Sequence, residues 1–146
     1  MQISSRFTIA IHIFACMETF GKDYKITSDF LASSIQVNPV IIRNILSQLR
    51  KAGLIKVARG TGGTTALRPL DQITFYDVYL AVDLLEEGEL FHFHENPNLD
   101  CPVGKNIHAS LDDKLMQIQR AMENQMKQYS IADVVNDVKQ CIVNTK

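Results

Sequence analysis

The chain has 146 residues, 46% hydrophobic and 21% charged, with a formal net charge of −1. That length favours one domain with an appended helical element, large enough to bury a core without metal or disulfide staples. No apolar run reaches the length of a membrane span, no separate signal-peptide pattern stands at the start, and three widely spaced cysteines argue against a disulfide scaffold. Reduced thiols and a cytoplasmic location are therefore expected. Charge is unevenly placed. Residues 38–70 hold six basic side chains (Arg43, Arg50, Lys51, Lys56, Arg59, Arg68) and no acidic one, whereas residues 71–146 hold six basic and thirteen acidic ones. A basic block in an otherwise acidic chain is a candidate phosphate-binding face.

Ile3, Phe7, Ala10, Ile11 and Phe14 recur at helical spacing, and Ile9, Ile13, Cys16 and Phe20 form a second apolar row. This predicts a helix over 3–20 with one face for the core and one for a partner element. Thr27 is placed to cap a short helix over 28–35, with Asp29 in its first turn. Asn38 as N-cap and Pro39 at the first helical position open another helix, running to about Lys51, with Gly53 where a terminating glycine is expected. Ile42, Ile45, Leu46 and Leu49 form its buried stripe and leave Arg43, Asn44, Ser47, Arg50 and Lys51 facing outward.

Residues 54–58 alternate like a strand, Gly60-Thr61-Gly62-Gly63 makes a turn, and 64–67 returns until Pro69 stops it. The segment reads as a β-hairpin. Thr74 and Asp77 form a capping box for a helix over 75–84, with Ile73 and Val78 as its hydrophobic staple. Residues 86–102 look irregular. From 103 a long helix carries Ile107, Leu111, Leu115, Ile118, Met122, Met126 and Tyr129 on one stripe of helical period. Ser130 and Asp133 form a second capping box, opening a final helix that carries Ile131, Val134, Val135, Val138 and Ile142.

The predicted fold is mainly α with a small β-hairpin: a winged helix-turn-helix plus a long C-terminal dimerisation helix. Residues 1–84 form the winged-helix DNA-binding domain, 85–102 a linker or sensor loop, and 103–146 the dimerisation helices. A recognition helix needs one apolar face to anchor it and one polar, cationic face to read base edges in the major groove. The helix from Pro39 has this division. Asn38, Val40, Arg43, Asn44 and Ser47 are expected near the groove floor, and Arg50 and Lys51 at phosphates. Backbone amides at Thr27 and Ser28 can bind a further phosphate. Arg59, with Thr61 at the glycine-rich tip, suits a narrow minor groove. The glycine run is no nucleotide-binding loop, since no Lys-Ser or Lys-Thr and no helix follow it.

These segments resemble the Rrf2 family of bacterial winged-helix regulators. The resemblance rests on Ser5-Arg6-Phe7 with Ala10-Ile11, Leu31-Ala32, Val37 to Val40, and above all Leu49-Arg50-Lys51-Ala52-Gly53-Leu54-Ile55. It continues through Arg59-Gly60, Gly62-Gly63, Leu67 and Ile73-Thr74-Phe75-Tyr76-Asp77-Val78. It implies a homodimer built by the long helix through Ile107, Leu111, Leu115, Ile118 and Met122. It also implies a palindromic double-stranded operator and action usually as a repressor. Many members carry three close cysteines that hold an iron–sulfur cluster. Here that segment has only Cys101, so the chain resembles the cluster-free branch and no cluster or other cofactor is expected.

Cys101 precedes Pro102 at an expected helix start, where free amides favour the thiolate, which makes it the candidate redox sensor. Cys16 and Cys141 lie on or near apolar stripes and read as structural. His92, His94 and His108 match no standard zinc spacing, so no metal is expected. No thiol-enzyme motif is present, so the chain is not expected to be an enzyme. A winged helix that binds an acidic protein instead of DNA is the alternative reading.

Overall fold

In the computed structural model, residues 3–58, 63–82, 90–91 and 93–145 are described. Among the described residues, six α-helices and one hairpin follow in the order α1 (Ser5–Phe20), α2 (Ser28–Ile35), α3 (Pro39–Lys51), β1 (Ile55–Ala58), β2 (Gly63–Ala66), a 3-10 turn (Leu70–Gln72), α4 (Phe75–Val82), α5 (Pro102–Met126) and α6 (Ile131–Asn144). The first five of these elements make the expected winged helix-turn-helix.

Ser4 caps α1, its side chain accepting from the Arg6 amide, so the helix begins two residues later than its apolar pattern predicts. The expected two-sided burial is real. Ala10, Ile13, Phe14, Ala15, Cys16 and Met17 are all buried, and α2, α4 and α6 pack around the helix. The Thr27 hydroxyl accepts from the Phe30 amide at 3.1 Å to start α2. Gln36, at φ 61°, ends that helix in the left-handed region without a glycine.

The α3 terminus is a complete Schellman arrangement. Leu54 N–H donates to the Leu49 carbonyl and Gly53 N–H to the Arg50 carbonyl, each at 3.0 Å. Gly53 takes φ +75°, and Leu49 and Leu54 bury together behind it. The hairpin is antiparallel, with Ile55 opposite Ala66 and Ala58 opposite Gly63.

Both predicted capping boxes form, and they meet. Thr74 N–H donates to Asp77 Oδ2 at 3.0 Å and Asp77 N–H returns to Thr74 Oγ1 at 3.1 Å. Ser130 N–H donates to Asp133 Oδ2 at 2.8 Å and Asp133 N–H to Ser130 Oγ at 3.2 Å. Thr74 and Ser130 are bridged as antiparallel partners, with Phe75 N–H on the Tyr129 carbonyl at 2.9 Å and Ile131 N–H on the Ile73 carbonyl at 2.8 Å.

One core joins Phe14, Leu31, Ile42, Ile45, Leu49, Ile73 and Val78 with Ile131 and Val135 of α6. The last helix, grouped with the long helix by sequence position, thus closes the core of the first 82 residues. By contrast α5 buries only Gln119, whose Oε1 accepts from the Leu90 amide at 3.0 Å. That helix runs Pro102–Met126, against an expected start at 103.

Candidate nucleic-acid interface

The positions of the predicted binding residues follow from the caps. The N-terminus of α2 is opened by Thr27, and α3 is held by its Ile42, Ile45, Leu46 and Leu49 stripe, each of which is at most 7% exposed. The 100° step of the helix then leaves Arg43, Asn44 and Arg50 exposed and Ser47 half-buried on the other side. The hairpin is drawn against the same side, because Thr64 N–H donates to the Ile26 carbonyl just before α2.

These three elements enclose a groove of about 350 Å³. Of the residues predicted to bind, it brings together Thr27, Ser28, Arg43, Ser47 and Arg50. Lys25 also lines it, as do Val57 and Gly63 from the two strands. Among the described residues the groove therefore presents three cations and no carboxylate. The free amides at the start of α2 add a fourth positive element.

The other predicted residues divide. Val40, Asn44 and Lys51 are exposed on α3 but outside the groove, with Val40 51% exposed at the helix start. Asn38 is exposed, yet its Oδ1 is occupied as the cap of α3, accepting from the Val40 amide at 2.8 Å. The Thr27 hydroxyl is likewise committed to its own helix. Arg59 and Thr61 lie outside the described residues. Arg68 belongs to the basic block but leans towards Asp77 at 3.9 Å and does not line the groove.

Lys25 and Gln48 are what sequence reasoning missed. Lys25 stands two residues before the Thr27 cap, and its nearness to a helix start expected to bind phosphate was the available signal. Gln48 accepts a hydrogen bond from Arg6 Nη1 at 3.1 Å, across 42 residues of chain. This tie fixes the flank of α3 to the first turn of α1, and no local pattern announces it.

Away from the groove, Cys101 occupies the N-cap position of α5 and is half-buried. Its sulfur makes no cap hydrogen bond at normal range. Even so, the amides of Gly104 and then Val103 favour the thiolate and outweigh burial, so the thiol pKa falls below its ordinary value. Cys16 is buried in α1, whereas Cys141 is exposed on α6. The His94 and His108 rings lie tilted at 30° to one another with centroids 5.3 Å apart, and His108 Nδ1 meets Asp112 Oδ1 at 3.1 Å. His92 lies outside the described residues, among which no three His, Cys, Asp or Glu side chains converge as a metal site. No described helix is long and apolar enough to cross a membrane.

A sequence-family model described as "Rrf2: Iron-dependent Transcriptional regulator" matches residues 3–137. YwnA of Bacillus subtilis (strain 168), named as an HTH-type transcriptional regulator, is 40% identical over 134 residues, which is 92% of this chain and 97% of that protein. A crystal structure described as that of a DNA-binding protein superposes with a TM-score of 0.70 at 35% identity, covering 89% of this chain and 98% of the other. CymR, the global cysteine regulator of B. subtilis, shares the fold with a TM-score of 0.67 at 19% identity, covering 93% and 97% of the two chains.

Proposed function

The chain belongs to the Rrf2 family of transcriptional regulators, and from that premise we propose that it is a homodimeric repressor that reads a palindromic operator through the α2–α3–hairpin groove. The observation that carries this is the groove itself. Lys25, Arg43 and Arg50 converge there with the α2 amides, and no Asp or Glu among the described residues lines the groove. Such a surface fits a duplex backbone, with Arg43 reaching base edges and Val40 offering an apolar contact for a thymine methyl.

Dimerisation through α5 is supported by what that helix leaves uncovered. Ile118 is 54% exposed, and Ile107, Leu111, Leu115 and Met122 are each only half-buried. A stripe of this length on a helix packed chiefly against α4 calls for a second copy. Two-fold pairing would place two reading heads on a two-fold operator.

The family description names iron, but the donors here do not suit a cluster. The three thiols sit in the buried face of α1, at the start of α5 and on the surface of α6. One cysteine near the α5 start cannot supply a thiolate set, so we infer a regulator that works without one. Its response would run through Cys101. A hydroperoxide would oxidise this thiolate to the sulfenic acid and leave as hydroxide or alkoxide. The cytoplasm, where the operator resides, is the proposed location.

Selection from random duplexes tests the function. A recovered motif with two-fold symmetry and salt-sensitive affinity upholds it. Failure to enrich any motif leaves a winged helix that binds protein, and the reading is wrong.

A further inference from the structure

Arg6 and Gln48 make a second polar cluster on α3, and neither residue lines the groove. Arg6 Nη1 donates to Gln48 Oε1 at 3.1 Å, and both side chains are half-buried where α1 packs against α3. A guanidinium has donors only, so the Gln48 carboxamide must turn its oxygen to Arg6 and keep its N–H groups for another partner. Arg6 enters no ion pair with a described residue. The first turns of α1 and α3 carry no acid. The cluster thus offers a full positive charge and spare N–H donors, with no counterion among the described residues.

The place of Arg6 does not serve its own helix. It stands in the first turn of α1, just after the Ser4 cap, where the macrodipole repels a cation and favours an acid. Helix stability therefore gives no reason for a cation there, whereas an anion from outside the chain does.

The cluster and the groove lie on opposite flanks of α3. At about 100° per residue, Gln48 stands about 160° around the helix from Arg50, with Ser47, Val40 and Asn44 in the arc between them. A helix with its side chains is about 10–12 Å across and the major groove about 12 Å wide, so a helix seated there has a sugar-phosphate strand at each flank. Arg50 would face one strand, and Arg6 with Gln48 the other.

We propose that Arg6 and Gln48 clamp a phosphate of the strand opposite the one that the groove holds, so that α3 is fixed in the major groove from both sides. The phosphate oxygens accept from the remaining Arg6 N–H groups and from Gln48 Nε2, and the Arg6–Gln48 bond holds these donors in one geometry. The inference rests on the DNA-binding reading and adds a second strand contact to it.

The test takes a duplex recovered by the native chain, replaces its phosphates one at a time by neutral methylphosphonates, and measures affinity by anisotropy. The native chain should lose affinity several-fold at phosphates on both strands. Arg6→Ala should bind the unmodified duplex about tenfold more weakly, with the slope of log affinity against log salt flatter by about one. It should also become indifferent to the methylphosphonate at one position while staying sensitive elsewhere, which is the coupling expected of a direct contact. Arg50→Ala should become indifferent at a position on the other strand. Gln48→Ala should shrink the penalty at the Arg6 position, and Arg6→Lys should restore part of it. Should thermal melts show Arg6→Ala to be unfolded, Arg6→Lys and Gln48→Ala carry the same comparison. Weaker binding with every methylphosphonate penalty intact would make the pair a brace between helices and overturn the clamp, as would a coupled phosphate on the strand that Arg50 contacts. A native chain that recovers no duplex sinks the DNA-binding reading and the clamp with it. A native chain that recovers one, beside an Arg6→Ala chain that keeps full affinity for it, sinks the clamp alone.

Discussion

Thr64 N–H donates to the Ile26 carbonyl at 3.1 Å, so the returning strand of the hairpin is fastened to the segment that leads into α2. Gly63 makes this approach feasible. It takes φ +67°, and a Cβ there would meet the Ile26 nitrogen at 3.0 Å and its oxygen at 3.2 Å. Gly53 has φ +75° but open space around the missing Cβ. Both Gly→Ala changes should cost about 1–2 kcal/mol for left-handed backbone. Gly63→Ala should cost more, because backbone atoms must move, and it should also weaken duplex binding. Thermal melts of the two variants check this; equal losses would show that the close approach carries no weight.

Arg43 and Arg68 belong to the same basic block but face different surroundings. Arg43→Ala should weaken operator binding by about 1–3 kcal/mol, roughly 5- to 150-fold, and relax one base preference. Arg68→Ala should leave affinity nearly unchanged, since that guanidinium lies by Asp77 outside the groove. Anisotropy titrations on a duplex and its base-substituted versions make the comparison.

Lys25→Ala should act differently from Arg43→Ala. A phosphate contact carries no base information, so binding should weaken across all duplexes alike. The slope of log affinity against log salt should flatten by about one. A change confined to one base position would reassign Lys25 to base reading.

Ile118→Glu places a charge on the exposed stripe of α5 while touching no core residue. The variant should keep its circular dichroism, sediment as a monomer, and lose most operator affinity. A dimer that survives this change would show that pairing uses another surface.

The lowered pKa of Cys101 has a testable sign. The Gly104 and Val103 amides stabilise the folded thiolate. Its contribution to stability is thus present above the unfolded pKa and is lost as pH falls through the folded one. Labelling of Cys101 should accelerate at lower pH in the native chain than in the same chain unfolded by urea. Coincident pH profiles would remove the chemical basis for a sensor at this position.

The elements that sequence reasoning located were those marked by short-range chemistry. Asn38-Pro39, Gly53, Thr74 with Asp77 and Ser130 with Asp133 each satisfy orphan amides or carbonyls within a few residues, so their signal is complete in the local string. The left-handed Gln36 and the 3-10 turn at Leu70–Gln72 escaped notice because their residues carry no local signal: Gln36 is neither Gly nor Asn, and no side chain caps the turn. Arg43, Ser47 and Arg50 could be read from the face of α3 opposite its leucines and isoleucines. Lys25 and the Arg6–Gln48 bond depend on how α1, α2 and α3 are set against one another. The commitment of Asn38 Oδ1 to its own helix was implicit in its role as cap, and it narrows what that side chain can offer a base.

The joined capping boxes at Thr74 and Ser130 have a geometric consequence. The end of α5 passes through Tyr129 into hydrogen bonds with the start of α4, which ties the proposed pairing arm to the domain that carries the proposed reading head. In a symmetric pair the distance between the two reading heads would then be set by backbone stiffness at this seam. Operators whose half-sites are spread or compressed by one base pair should be rejected even when every contacted base is correct.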